Sequence, residues 1–200
     1  MNQLSETIRY YDEHADEFVR GTVGVDMESL YQPFLAMLPE AGTVLDAGCG
    51  SGRDSKAFLD LGYSVTAIDA SEKMVEATAC LTGLVARKLQ FQQMEFDNEF
   101  DGIWACASLL HVPRAEIGTV LKSFARALRP NGVCYLSFKE GDGERVQDGR
   151  LFTDFTEFGL KAVLAHCSEL EVVRIWTTQD ARPDLADQWV NALVRKRDRD

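Results

Sequence analysis

Hydrophobic positions along this chain follow two rhythms. Near the N-terminus Ile8, Tyr11, Ala15 and Phe18 recur at helical spacing, with Asp12, Glu13, Asp16 and Glu17 between them, which predicts an amphipathic helix. Asp26 is placed to cap a second helix, on which Met27, Leu30, Tyr31, Phe34, Leu35 and Leu38 form one stripe. Pro33 should kink that helix or limit its first turn. Further on, short apolar runs alternate with helical patterns. Strands are expected at Val44–Asp46, at Ser64–Asp69, within Ala86–Phe91, at Phe100–Cys106 and at Val133–Phe138. Helices are expected from Arg53 to Gly62 and from Ser71 as N-cap, with Met74, Val75 and Leu81 facing inward. Another starts at Arg114, where Ile117, Val120, Leu121, Phe124 and Leu128 share a face, and Leu128-Arg-Pro-Asn-Gly132 marks its exit. A helix over Asp154–His166 and strands at Leu170–Trp176 and Gln188–Val194 complete the pattern. The alternation predicts an α/β fold. The first two helices stand outside it, as a cap over residues 1–40.

Two hundred residues with 46% hydrophobic content suit a single domain spanning 1–200. No apolar run approaches the length of a membrane span, and the start, MNQLSETIRYYDEH, lacks the basic flank and apolar core of a signal peptide. A cytoplasmic protein is expected. Cys49, Cys80, Cys106, Cys134 and Cys167 are scattered without C-x-x-C spacing, and the three histidines lie far apart, so neither a disulfide framework nor a metal site is expected. A net charge of −11 disfavours a nucleic acid partner, which normally demands a basic face. The densest basic stretch is the tail, Arg195 to Arg199, diluted by Asp198 and Asp200.

The candidate chemistry lies in Thr43–Ser55, TVLDAGCGSGRDS. A buried strand ends in Asp46, glycine stands at 48, 50 and 52, and a helix follows. Glycine permits positive φ and a close ligand approach. A dinucleotide fingerprint, G-x-G-x-x-G, fails in both registers, because Arg53 or Ser55 occupies the third glycine position. Asp46 would also repel a pyrophosphate. A cationic ligand without phosphate removes that conflict, and S-adenosylmethionine is one. Asp69, at the end of the second apolar strand, is spaced to accept hydrogen bonds from ribose hydroxyls.

D-A-G-C-G-S-G followed by A-I-D-A-S resembles the cofactor site of the class I S-adenosylmethionine-dependent methyltransferases. The resemblance implies a Rossmann-like, seven-stranded, mostly parallel sheet with helices on both faces and an antiparallel last strand. It implies S-adenosyl-L-methionine as cofactor, with Asp46, Gly48, Gly50, Asp69 and Ala70 around it. The segment Tyr11–Phe18 resembles one that packs over the cofactor in this family. Tyr11 is assigned that contact, and Arg20 the methionine carboxylate. Met74 and Phe91 are assigned to the adenine. Gln90 stands where the family often has an acidic residue bonding the adenine amino group; its carbonyl can also accept. Cys106 and Ala107 would line the methionine part, and His111 would point toward the donor sulfur.

No nucleophile or metal is implied, and no catalytic residue is assigned. Segments such as GCGSGRDS look like those of small bacterial methyltransferases, including tellurite- and thiopurine-detoxifying types. The polar, glycine-bearing stretch over residues 139–153 reads as a loop or hairpin inserted beside the active site. There Lys139 and Arg150 hint at an anionic or carbonyl-bearing substrate. With so small a lid, the expected acceptor is a small molecule. The competing readings are a nicotinamide-dependent oxidoreductase, a methyltransferase acting on tRNA or protein, and a non-catalytic S-adenosylmethionine-binding module.

Overall fold

The computed structural model describes residues 3–198; Arg199 and Asp200, the end of the basic tail, and the first two residues of the chain lie outside the described residues. The N-terminal segment forms α1 (Gln3–Glu13), α2 (Ala15–Thr22) and α3 (Glu28–Leu35). The single helix expected over Ile8–Phe18 is thus two. The break falls at His14, which leaves helical geometry (φ −113°, ψ 21°) and stacks on Tyr10 with ring centroids 4.2 Å apart. Asp26 accepts from the Glu28 backbone N–H at 2.9 Å, although Met27 holds the cap position itself. Pro33 lies inside α3, which ends two residues later.

One sheet follows, in the order β3-β2-β1-β4-β5-β9-β8. Its parallel members are β1 (Thr43–Ala47), β2 (Ser64–Asp69), β3 (Arg87–Lys88), β4 (Phe100–Ala105) and β5 (Leu128–Lys139). β9 (Gln188–Lys196) runs antiparallel between β5 and β8 (Leu170–Gln179). The crossovers are α4 (Arg53–Asp60), α5 (Glu72–Thr82) and α6 (Arg114–Ala127); α7 (Glu157–Ala165) precedes β8. Between β5 and α7 the chain forms a hairpin of β6 (Gly143–Gln147) and β7 (Arg150–Asp154).

Strand alternation divides the core by face. Leu45, Ile103, Ala105, Cys134 and Leu136 pack with Ile117, Phe124 and Leu160 of α6 and α7. Their neighbours Val44, Trp104, Val133, Tyr135 and Leu193 pack with Tyr31, Phe34 and Phe58 of α3 and α4. Trp104 stacks on Tyr135 at 4.0 Å between centroids.

Two expectations need correction. The Leu128–Gly132 exit turn is drawn into β5 as an irregularity, because Phe100 pairs with Leu128 while Gly102 pairs with Val133. Leu81 is 38% exposed rather than inward. The edge strand beside α5, β3, is only two residues long.

Candidate active site

The parallel strands end on one side of the sheet, and there the loop after β1 turns sharply. Gly48 and Cys49 each donate a backbone hydrogen bond to Ile68 O at 2.9 Å, tying the loop to β2. The three glycines serve different ends. A Cβ on Gly48 (φ +88°) would lie 2.4 Å from Ser108 Cβ, and one on Gly52 (φ +80°) 2.9 Å from Thr78 Cα, so both positions are demanded by packing. Gly50 (φ +52°) faces the cavity side of the loop, where a Cβ would meet the Phe18 ring at 3.2 Å and Gly48 O at 4.0 Å.

Asp69 closes the loop from the side. Its Oδ2 accepts from Gly50 N at 3.0 Å and its Oδ1 from Ser71 N at 2.9 Å. Burial pushes its carboxyl up to about 6, against the pull of these N–H bonds. Ser71 caps α5, accepting from Met74 N, and its hydroxyl donates to Asp12 of α1 at 2.6 Å. The cap is therefore pinned to the start of α5.

A cavity of about 420 Å³ opens above the strand tips, within the usual range for small-ligand sites. Tyr11, Gly48, Gly50, Asp69, Ala70, Met74, Gln90, Phe91, Cys106, Ala107, His111, Lys139 and Arg150 all line it. α1 and α2 roof it through Tyr11, Phe18 and Thr22, and the hairpin closes one side through Arg150 and Phe152.

Two residues expected at the site are elsewhere. Arg20 is exposed and lines a separate surface depression. On α2 it lies two residues from both Phe18 and Thr22, which points it to the opposite side of the helix. Asp46 is only 2% exposed. The first turn of α4 folds back over it, and Ser55 Oγ donates to its carboxyl at 2.6 Å. Burial and the nearby Asp54 charge push that carboxyl well above the usual range. Asp46 thus supports the loop from below. The discrimination against a dinucleotide rests on the glycine register rather than on its charge.

His111 sits in a 3-10 turn after β4 and has both ring nitrogens engaged. Nδ1 lies 2.6 Å from Leu151 O, and Nε2 lies 2.7 Å from the Tyr11 hydroxyl. A carbonyl can only accept, so Nδ1 carries the proton and Tyr11 O–H donates to Nε2. Burial, with the positive Arg150 and Lys139 nearby, lowers His111 to about 4. Burial raises Tyr11 to about 12, despite the opposing pull of Arg150. Both are neutral at pH 7. The Cys106 thiol is likewise pushed up by burial, to about 12, and stays protonated. Ala107 adopts φ +51° and donates its N–H to Ser137 Oγ at 2.7 Å.

Sequence reasoning missed a charged part of the wall. Arg53 and Asp54 form a two-point ion pair at 2.6 and 2.9 Å. Tyr31 O–H and Trp104 N–H also donate to Asp54. Burial opposes charge on Asp54, yet the Arg53 guanidinium and these bonds hold its carboxyl below the ordinary range. Asp180, Arg182, Asp187, Trp189 and Asn191 complete the far side. Their signal was topological. An antiparallel β9 must begin where β5 ends, which brings the 179–188 connection to the same edge of the sheet as the glycine loop. Among the described residues no cluster of three or more histidine, cysteine or acidic side chains is placed to hold a metal.

A family model described as a methyltransferase domain matches residues 44–132. The chain is 33% identical over 105 residues to the ubiquinone biosynthesis O-methyltransferase of Caulobacter vibrioides, covering 49% of this chain and 41% of that protein. It is 33% identical over 99 residues to the cypemycin N-terminal methyltransferase of a Streptomyces species, covering 47% and 40%. The matches thus span about four-tenths of the length of these curated relatives. The structure of a Burkholderia thailandensis 1,6-didemethyltoxoflavin-N1-methyltransferase, bound to 1,6-didemethyltoxoflavin and S-adenosylhomocysteine, aligns with a TM-score of 0.79 at 27% identity, over 98% of this chain and 87% of that one. Sheet order, glycine loop, strand-tip acid and these likenesses agree: residues 44–132 form a methyltransferase domain, and the chain as a whole shares its fold with a methyltransferase that binds S-adenosylhomocysteine.

Proposed function

We propose that this protein transfers a methyl group from S-adenosylmethionine to a small-molecule acceptor held in the same cavity. The observation that carries this reading is the continuity of the cavity. It runs from Gly50 and Asp69 past His111 to Lys139 and Trp189, beneath α1, α2 and the hairpin. In this reading residues 1–40 and 139–153 serve as the lid of a single domain.

The residues present fit the cofactor. Gly50 leaves the loop open on the cavity side, since its missing Cβ would project toward Phe18. The Asp69 carboxylate would accept from the ribose hydroxyls, Met74 and Phe91 would flank the adenine, and the Gln90 carbonyl would accept from its amino group. Ala70 would border the ribose, and Cys106 and Ala107 the methionine chain. When bound, S-adenosylmethionine supplies an electrophilic methyl carbon on a cationic sulfur. The protein's work is then to exclude water and align the acceptor with that carbon, and such positioning can supply about 7–11 kcal/mol of a barrier. His111 is neutral, with its Nε2 lone pair taken by Tyr11. Its part is to hold the roof in register, and no general base is assigned.

The relatives' names point to different acceptors: ubiquinone biosynthesis, the N-terminus of cypemycin and 1,6-didemethyltoxoflavin. The family match ends at residue 132, before the tip of β5, the hairpin and the β8–β9 connection that form the far wall. A small acceptor is favoured by the closed roof, and a nucleic acid is disfavoured by the net charge of −11. Among the described residues no helix is long and apolar enough to cross a membrane.

Parallel calorimetric titrations with S-adenosylmethionine, S-adenosylhomocysteine and NADH test the cofactor half. Micromolar binding of the first two and none of NADH is expected; absence of binding by both sulfur ligands would overturn the reading. Turnover on small thiols, phenols and amines against tRNA then tests the acceptor half, and preference for tRNA would refute it.

A further inference from the structure

Four cations line the cavity: Arg53, Lys139, Arg150 and Arg182. Three of them have a close carboxylate partner, Arg53 with Asp54 at 2.6 Å, Lys139 with Asp187 at 2.6 Å and Arg182 with Asp180 at 2.8 Å. Arg150 differs. Its ion-pair partner among the described residues is Asp148, at 3.5 Å and with a side chain 63% exposed, an arrangement that neutralises little. Yet the Arg150 side chain is itself only 20% exposed, and its Nε is buried without a hydrogen-bond partner. A buried N–H without an acceptor carries a desolvation cost that an incoming acceptor removes.

The surroundings define what that acceptor looks like. The guanidinium lies over the Tyr10 ring at 4.2 Å and the Phe152 ring at 5.2 Å. A guanidinium held against rings is a planar fork, and its paired N–H donors match a planar carboxylate. Beside it stand Tyr11 and His111, both neutral. Arg150 stands in β7, on the hairpin wall of the cavity. Phe152 is shared with Lys139 at the end of β5, 5.3 Å from its ring centroid, and His111 lies 5.1 Å from the same ring. Gly50 and Asp69 sit at the tips of β1 and β2, beyond β4 in the sheet order.

We propose that Arg150 anchors a planar carboxylate carried by the methyl acceptor, which makes the acceptor a small organic acid. This rests on the methyl-transfer reading above. It also replaces the earlier pairing of Lys139 with Arg150, because Lys139 is already neutralised by Asp187. A carboxylate gripped by the fork has its in-plane lone pairs engaged, so the methylated atom is a different nucleophile on the same molecule.

The test is a titration of the S-adenosylhomocysteine-saturated protein with benzoate and with benzamide, its neutral isostere. The readouts are calorimetry and the Arg150 Nε–H resonance, assigned through Arg150→Lys. Benzoate should move that resonance downfield and bind, while benzamide should do neither. Arg150→Met should weaken benzoate binding by about tenfold or more, as expected for loss of a charge-assisted contact. Arg150→Lys, which keeps the charge but not the fork, should recover only part. S-adenosylhomocysteine affinity should be unchanged in both. If S-adenosylhomocysteine alone moves the resonance, or either variant loses affinity for it, the fork holds the methionine carboxylate and the acceptor assignment falls. Equal behaviour of benzoate and benzamide also overturns it. Failure of the unmodified protein to bind S-adenosylhomocysteine would instead overturn the cofactor reading, and benzoate titration of the free protein would still test the fork.

Discussion

Lowering the pH from 7 to 5 should weaken S-adenosylhomocysteine binding by about tenfold, through Asp69. Both oxygens of this carboxyl already accept backbone N–H bonds, from Gly50 and Ser71, and burial still pushes it up to about 6. Ribose hydroxyls donate to the ionised form, whereas the protonated acid offers one acceptor fewer. One unit below its midpoint about a tenth of the carboxyl is ionised, and each unit corresponds to about 1.4 kcal/mol. The neighbouring cavity groups are silent in this window, since His111 lies near 4 and Tyr11 near 12. Stability runs the other way. A carboxyl raised on folding stabilises fully below its ordinary value of 3.8 and loses that contribution as pH rises through about 6. Weaker binding at pH 5 would therefore not reflect Asp69-driven unfolding. Calorimetry at pH 5, 6 and 7 measures the slope. In Asp69→Asn the slope should vanish, and affinity at pH 7 should fall about 10- to 150-fold, the equivalent of about 1.5–3 kcal/mol for a charge-assisted bond. Equal affinity of the unmodified protein at pH 5 and 7, or an unchanged slope in the variant, would refute the ribose assignment.

The glycines should separate by readout. Gly48→Ala, with its Cβ 2.4 Å from Ser108 at φ +88°, should lower stability by at least about 1–3 kcal/mol in urea unfolding. Gly50→Val should abolish S-adenosylhomocysteine binding with an unchanged circular dichroism spectrum, and retained binding would make the loop a mere turn. Asp54→Ala strips the partner from buried Arg53 and leaves the Tyr31 and Trp104 donors unpaired. It should cost about 3–5 kcal/mol, and a loss well under about 1 kcal/mol would mean the network is not structural. Tyr11→Phe leaves His111 Nε2 without its donor, which should cost about 1–3 kcal/mol on the same measurement; unchanged stability would contradict the pairing.

What could be read from the sequence was what backbone geometry imposes on residue identity. Positive φ at Gly48, Gly50 and Gly52, the cap at Ser71 and the acid ending β2 are each local demands met by local residues. Arg20 and Asp46 were misplaced for want of orientation. Their proximity to the loop was visible, but the side of α2 facing the cavity and the burial of Asp46 under α4 depend on packing. Leu81 was read inward from helical spacing, whereas it is 38% exposed beside a two-residue edge strand. The far wall was hidden for a different reason. Asp180, Arg182 and Asp187 fall between the two last expected strands, where no role was assigned, and the antiparallel insertion of β9 carries that connection to the site. A buried role for Asp54 was hidden too, because its partners Tyr31 and Trp104 come from elements distant in sequence.

The cap itself is joined to the molecule in an unusual manner. Thr7 is the most buried of the described residues of α1, with Leu4, Ile8, Tyr10 and Tyr11 half-buried beside it. Polar ties add to this packing. Leu151 N–H donates to Thr7 Oγ1 at 3.0 Å while Leu151 O accepts from His111, whose other nitrogen receives Tyr11. On the far flank Asp12 accepts from Ser71 Oγ and Lys73 N. Each such bond contributes about 0.5–1.5 kcal/mol net, so together these ties add a few kcal/mol to the packing that holds α1 down. Tyr11 and His111 thus have two roles: they line the cavity, and their hydrogen bond contributes to the cost of opening it. Tightening the roof would therefore strengthen retention of a ligand and slow its entry through the same hydrogen bonds.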